Sequence, residues 1–382
     1  MKKALIVTIF ILSCCRINAQ VSFTGTVYDK ATNQPIPDVY VSFNGTIAYA
    51  VTDNSGKFKL TVAQRLNTQL VFSHVAYHMV IIENPFDELP EEIYMEQRLN
   101  ILDDVVVSAR VSPEYADPFT RQQKLKAFRE QFLGTTRAGR SCMIMNEGDI
   151  ELRYNVQTNT LYASSENPIV VINEYLGYMV SFTLVDFRIE YAVQPSLIET
   201  YKGTRLRGTT SFDPIRNISN ANNPVIEQGT LALIKNYDVQ RSYYTVMSSF
   251  TDLSPDDNRI KRRRSDIYEQ SSTFFFKNIT NNTLNESNFN IYEGTRRQVV
   301  DQSFYFTIEE DDTLSLKKLR LIPDSDSVIN VRYRNKQSNL LFNTNTLLVD
   351  QYGNIDQPYK VIFTGVMGEA RAGDMLPLDY EP

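Results

Sequence analysis

The sequence predicts a mainly β protein, with a small N-terminal β-sandwich over residues 21–97, a linker with one amphipathic helix over 98–140 and a larger β-rich domain over 141–382. Three observations lead there. The chain carries 22 Tyr and 21 Phe but no Trp, and these residues suit pleated, half-buried surfaces. From Val21 onward apolar and polar residues alternate in short runs, the period expected of strands with one buried face. The composition is that of an ordinary globular protein, 42% hydrophobic and 22% charged, and 382 residues exceed one core and call for two domains or three.

The amino terminus reads as a secretory signal over residues 1–19. Lys2 and Lys3 precede the apolar run Ala4 to Leu12, and Asn18-Ala19-Gln20 places a small residue at the cut. Cleavage between Ala19 and Gln20 is the favoured reading. The rival is lipidation of Cys14 behind Ile11-Leu12-Ser13, which Arg16 fits less well. Either route leaves Cys142 as the one cysteine of the mature folded region, so there is no disulfide framework and the unpaired thiol is expected to be buried. A net charge of -6 provides no footprint for nucleic acid, which is bound by clustered Lys and Arg.

The first module announces its strands one by one. Phe23 and Val27 share a face, and Val39, Val41 and Phe43, then Phe58, Leu60 and Val62, then Leu70 and Phe72 repeat the alternation. Asp53-Asn54-Ser55-Gly56 supplies the residues of a tight hairpin and too few carboxylates for a calcium loop. Gly25-Thr26-Val27-Tyr28-Asp29, Thr32 with Pro35-Ile36-Pro37, Val39-Tyr40-Val41, Thr52-Asp53 with Gly56-Lys57-Phe58, and Val75-Ala76-Tyr77 together resemble the carboxypeptidase regulatory-like domain. The resemblance implies a transthyretin-like sandwich of about seven strands that serves as an accessory module with no catalytic residues of its own; its name implies no peptidase. The two histidines, His74 and His78, are expected on one face of a strand about 13 Å apart, too far to share a metal.

Beyond the sandwich, Ile101-Leu102 followed by Asp103-Asp104-Val105-Val106-Val107 is similar to the segment after this domain in TonB-dependent outer-membrane receptors. There the resemblance implies a strand that pairs with a periplasmic partner by backbone addition. The plainer reading is a last strand or a stiff linker. A helix follows, with Asp117 predicted as N-cap, Pro118 at its first position, Leu125, Phe128 and Phe132 on one stripe, and Gly134 as stop.

Strands resume over Leu161 to Ala163, Ile169 to Asn173, Tyr178 to Val193, Leu206 to Phe212, Phe274 to Lys277, Phe304 to Ile308 and Val361 to Thr364. In the longest, the apolar positions Tyr178, Val180, Phe182 and Leu184 shift register to Val185, Phe187, Ile189 and Tyr191, as a bulge or a strand passing between sheets requires. Irregular spacing, the polar stretches Asn217 to Asn223 and Asn278 to Asn288, and the polar ending Asp379-Tyr380-Glu381-Pro382 argue against a membrane barrel. Arg121 with Phe128 and Phe132-Leu133-Gly134, Leu176-Gly177-Tyr178, and Met375 to Tyr380 are similar to the carboxypeptidase-like regulatory domain-containing envelope proteins of Gram-negative bacteria. That resemblance implies a place in the periplasm or at the outer membrane, and no activity.

Chemistry is sparse. Residues 141–382 contain no His, the usual general base and zinc ligand, and no glycine-rich phosphate loop occurs. No cofactor or metal is implied. Two facing carboxylates would be enough for glycoside hydrolysis, but Glu309-Glu310-Asp311-Asp312 and Asp324 with Asp326 read as solvated loops. Lys261-Arg262-Arg263-Arg264 is expected on an exposed loop or face, its charge offset by Asp256, Asp257 and Asp266, with an anionic envelope glycolipid as the bolder reading. The expectation is a non-enzymatic binding or assembly protein whose partner is an envelope protein or a glycan. The alternative is a glycan-active protein, either a carbohydrate-binding module or a carboxylate-dependent hydrolase.

Overall fold

The computed structural model describes residues 20–98, 117–200, 230–293, 298–311, 316–322, 328–356 and 358–382. The signal residues with Cys14 and Ala19, the candidate partner strand Asp103 to Val107, the run Leu206 to Phe212, the stretch Asn217 to Asn223, and Asp312, Asp324 and Asp326 lie outside them. The chain is mainly β, and its buried side chains gather in three clusters.

The first cluster fills a sandwich of seven strands: β1 (Val21–Asp29), β2 (Tyr40–Phe43), β3 (Tyr49–Val51), β4 (Lys57–Val62), β5 (Leu70–Ser73), β6 (Val80–Ile82) and β7 (Glu92–Met95). They form sheets of order β4-β1-β7 and β3-β2-β5-β6. The alternation is visible in β4, where Phe58, Leu60 and Val62 are buried and Lys57, Lys59 and Thr61 are exposed. Asp53 to Gly56 form a tight turn that leads from β3 in one sheet to β4 in the other rather than the expected hairpin, and in it Asp53 Oδ1 accepts the N–H groups of Ser55 and Lys57 at 2.8 and 3.0 Å. There Gly56 adopts φ +71, which a side chain would strain. The histidines depart from expectation. β5 ends at Ser73 because His74 Nδ1 accepts the Ala76 N–H and Tyr77 N donates to His74 O, so a turn takes over before a shared strand face can form.

The second cluster belongs to a six-stranded sheet of β8 (Cys142–Ile144), β9 (Ile150–Asn155), β10 (Thr160–Ser165), β11 (Ile169–Asn173), β12 (Tyr178–Thr200) and β13 (Thr230–Asp252). β12 and β13 pair antiparallel along their whole length, and the expected register shift is present. Leu184 faces Val246 and Asp186 faces Thr245, leaving Val185 bulged out and 58% exposed. The helix Arg121–Phe132 lays Phe128 and Phe132 on this sheet, with ring centroids 4.7 Å from Phe187 and 5.2 Å from Phe182. Its cap is Thr120 rather than Asp117. Thr120 and Gln123 form a reciprocal capping box, whereas Asp117 binds the Phe119 N–H and Lys124. Gly134 does end the helix, at φ +88.

The third cluster lies under β14 (Phe289–Glu293), β15 (Gln298–Val300), β16 (Phe306–Asp311), β17 (Leu316–Leu321), β18 (Val328–Tyr333), β19 (Lys336–Phe342), β20 (Thr346–Val349) and β21 (Val361–Gly365), in sheets of order β15-β14-β18-β19-β21 and β16-β17-β20. Several expectations are corrected here. Phe274 to Lys277 is helical, within Ser272–Thr280. Ser271 caps that helix, and Phe275, Phe276 and Ile279 cover its buried side at a spacing a strand would not use. The strand expected from Phe304 starts at Phe306, because Asp301 caps a 3₁₀ turn over Gln302–Phe304. Glu309, Glu310 and Asp311 belong to β16 rather than to a loop, and Glu309 pairs with Arg320 at 3.0 Å. Lys261 to Arg264 lies in the helix Asn258–Tyr268, where Arg264 is buried.

Candidate functional site

The sandwich does not hang free of the second sheet. Gly45 N donates to Ser248 O at 2.6 Å and Phe250 N donates to Thr46 O at 3.0 Å, which makes Thr46 and Ser249 a parallel bridge partner pair. Asn44 Oδ1 accepts the Ser248 N–H at 2.8 Å. These bonds seat the β2–β3 loop on the edge of β13. A second tie comes from Arg98, whose Nη1 donates to Glu166 O and whose Nε donates to Tyr77 O, both at 2.9 Å.

Between the ties the outer faces of two sheets meet across a cleft of about 760 Å³. Strand alternation decides its lining. Tyr178, Val180 and Phe182 of β12 turn into the core, so Met179, Ser181 and Thr183 turn to the cleft, beside Met247, Ser249 and Thr251 of β13. The sandwich wall is made by Tyr40, Ser42, Val71 and Ser73, since Val41, Phe43, Leu70 and Phe72 fill its core. Asn146, Asn167, Asp38, His74 and Arg98 line it as well, together with Ser248 and the apolar Val75, Pro168 and Val170.

The site is rich in hydroxyl groups, thioethers and amides, and among the described residues Asp38 is the only carboxylate that lines it. Burial pushes the Tyr40 hydroxyl up to about 12, with a hydrogen bond from Ser249 acting the other way, so Tyr40 is a neutral donor at physiological pH. Tyr40 stacks on Tyr49 with centroids 4.9 Å apart and planes 18° from parallel, and Tyr49 is 50% exposed. His74 spends Nδ1 on the Ala76 N–H. Among the described residues His74 makes no hydrogen bond to a hydroxyl or thiol, the contact an activated nucleophile needs. Hydroxyls, amides and polarisable Met side chains can bind an uncharged, extended ligand and adapt to its shape.

Of the residues singled out from sequence, Gln20 is exposed and stands immediately before β1, while Cys14, Ala19 and Asp103 to Val107 are outside the described residues. Cys142 is half-buried, with Sγ donating to Ala138 O at 3.4 Å, and burial together with Asp374 pushes its thiol up to about 12. The cleft itself escaped sequence reading. Its one sequence signal is the outward set Met179, Ser181 and Thr183, small or flexible residues at alternate positions of a strand that is apolar on its other face.

Residues 23–107 match the family model of the CarboxypepD_reg-like domain, in agreement with the seven-stranded sandwich. No curated protein matches the chain.

Proposed function

We propose that this chain is a non-enzymatic binding or assembly protein of the bacterial periplasm or outer membrane, and that its ligand occupies the cleft between the sandwich and the β12–β13 sheet. The observation that carries this reading is the lining among the described residues: eight hydroxyl-bearing side chains, Tyr40, Ser42, Ser73, Ser181, Thr183, Ser248, Ser249 and Thr251, two Met, and a single carboxylate. Such a surface recognises by contact and hydrogen bonding and lacks the paired acids of glycoside hydrolysis. The basic and apolar amino-terminal residues support export. The test is recovery of the native protein from envelope fractions with its crosslinked partners, alongside Ser181→Trp, which fills the cleft from a half-exposed position. Envelope recovery with partners that Ser181→Trp loses, at unchanged thermal stability, is the expected result. Cytosolic protein with residues 1–20 intact and turning over a substrate would refute it.

A second reading, a carbohydrate-binding module, is favoured by the Tyr40–Tyr49 stack at the cleft, because sugar rings pack on aromatic faces. Retention on insoluble polysaccharide that Tyr49→Ala abolishes would select this reading over a protein partner.

A further inference from the structure

We propose that Arg137 and Arg263, gathered on the ring of Tyr175, form a binding site for a phosphate-type oxyanion, separate from the cleft. The two guanidinium carbons lie 5.1 Å (Arg137) and 4.7 Å (Arg263) from the centroid of the Tyr175 ring. They arrive from different elements, the short helix Arg137–Arg140 and the helix Asn258–Tyr268. Arg263 is further fixed by Nη1 donating to Tyr175 O at 3.3 Å.

The supports are rigid. Thr136 Oγ1 accepts the Gly139 N–H, and Gly139 packs so tightly that a Cβ there would sit 2.3 Å from Leu133 O. The Tyr175 turn is closed by Leu176 N donating to Asn173 Oδ1 at 3.0 Å and Gly177 N donating to Asn173 O at 2.8 Å, with Leu176 buried beneath it. The backbone from which Arg137 and Tyr175 project is therefore set before any ligand arrives, which lowers the entropy lost on binding.

Charge makes the arrangement point to a ligand. In the same helix Arg264 is paired with Asp252 and Arg259 with Asp257. Among the described residues no carboxylate lies within 4.0 Å of Arg137 or Arg263, and none within that distance of the neighbouring Arg140 or Arg262. Glu174, exposed beside Tyr175, pairs with neither. Two unneutralised guanidiniums beside one ring repel each other, and the attraction of the ring for each offsets only part of that. On a chain of net charge -6 this is a local reversal of sign. An oxyanion resolves it, because each guanidinium presents a planar fork that matches two phosphate oxygens. The same chemistry would come from free phosphate or from the headgroup of an anionic lipid.

The test uses the full mature chain and two probes: inorganic phosphate followed by calorimetric titration, and vesicles of phosphatidylcholine with or without phosphatidylglycerol followed by co-sedimentation. Arg137→Ala and Arg263→Ala should each weaken binding about tenfold, and the double variant about a hundredfold, at an unchanged thermal midpoint. The pair Arg137→Lys with Arg263→Lys keeps the charge and loses the fork, so it should also bind more weakly. Phosphate binding alone identifies a free oxyanion, and vesicle binding alone identifies a headgroup. Wild-type protein that binds neither probe, or binding that the double alanine variant or the lysine pair retains in full, overturns the proposal.

Discussion

Replacing Arg264 by alanine should destabilise the protein by about 3 kcal/mol, through a cost that comes from what is left behind. Arg264 is 4% exposed. Its Nη1 and Nη2 donate to Asp252 Oδ2 and Oδ1, both at 2.7 Å. Nε donates to Leu176 O at 2.7 Å and Nη2 to Gly177 O at 3.1 Å, and the guanidinium carbon lies 3.8 Å from the Tyr178 ring centroid. Removing one partner of a buried pair costs about 3 to 5 kcal/mol because the other charge stays behind unpaired. The Asp252 side chain is 25% exposed, so water takes up part of that loss and the lower end applies. A loss of that size should lower the thermal midpoint of the affected unit by on the order of 10 °C.

The assay is urea unfolding of wild type, Arg264→Ala, Asp252→Ala and the double variant. Because each single change strands the other group, the double variant should lose less than the two singles combined. Acid provides an independent check. Burial alone would raise the Asp252 carboxyl, but hydrogen bonds from Arg264 and from the Ser254 N–H hold it below the ordinary value of 3.8. Its contribution is therefore present above the unfolded value and is lost as pH falls through the lower folded value. Arg264→Ala should flatten that acid limb. Additive losses, or a single-variant loss under 1 kcal/mol on the order expected of a surface pair, would refute the reasoning.

Three further outcomes follow from other joints. Gly45 sits at φ +77, and a Cβ there would lie 2.8 Å from Leu378 Cδ1, so Gly45→Ala should cost about 1 to 3 kcal/mol, with Leu378→Ala restoring the steric part alone; thermal unfolding of both variants decides it. Burial raises the Asp374 carboxyl above 3.8 against the hydrogen bond from Thr136, so its contribution is present below the unfolded value and lost as pH rises through the raised one. Asp374→Asn imitates the protonated form and should gain on wild type between acid and neutral pH; parallel stability curves for the two proteins would contradict this. With its thiol pushed up to about 12, Cys142 should react slowly with a thiol reagent at neutral pH and rapidly in urea, and complete labelling of folded protein within minutes would count against it.

Local patterning carried the sandwich, since alternating runs such as Phe58, Leu60 and Val62 reach their burial by strand geometry alone. The bulge at Val185 was legible for the same reason, because a register shift must flip the apolar face. Phe274 to Lys277 was misread because a three-phenylalanine run has no period, and the deciding residue, the capping Ser271, stands outside the run.

The charges failed differently. Neighbouring carboxylates in sequence were expected to offset Lys261 to Arg264, but a helix sends successive side chains in different directions. Arg263 therefore reaches Tyr175 while Arg264 reaches Asp252, and one run of like residues divides into a neutralised structural member and an unneutralised one. The cleft was hidden by a longer-range version of the same effect. Its walls become neighbours through the bonds of Gly45 and Thr46 to Ser248 and Phe250, backbone contacts with no side-chain signature, and through Asn44 and Arg98, whose backbone partners are equally unmarked in the sequence. Where a site is made by docking two sheets, sequence can therefore identify each wall's outward residues, while every tie between them described above ends on a backbone group, of a kind that nearly every residue carries.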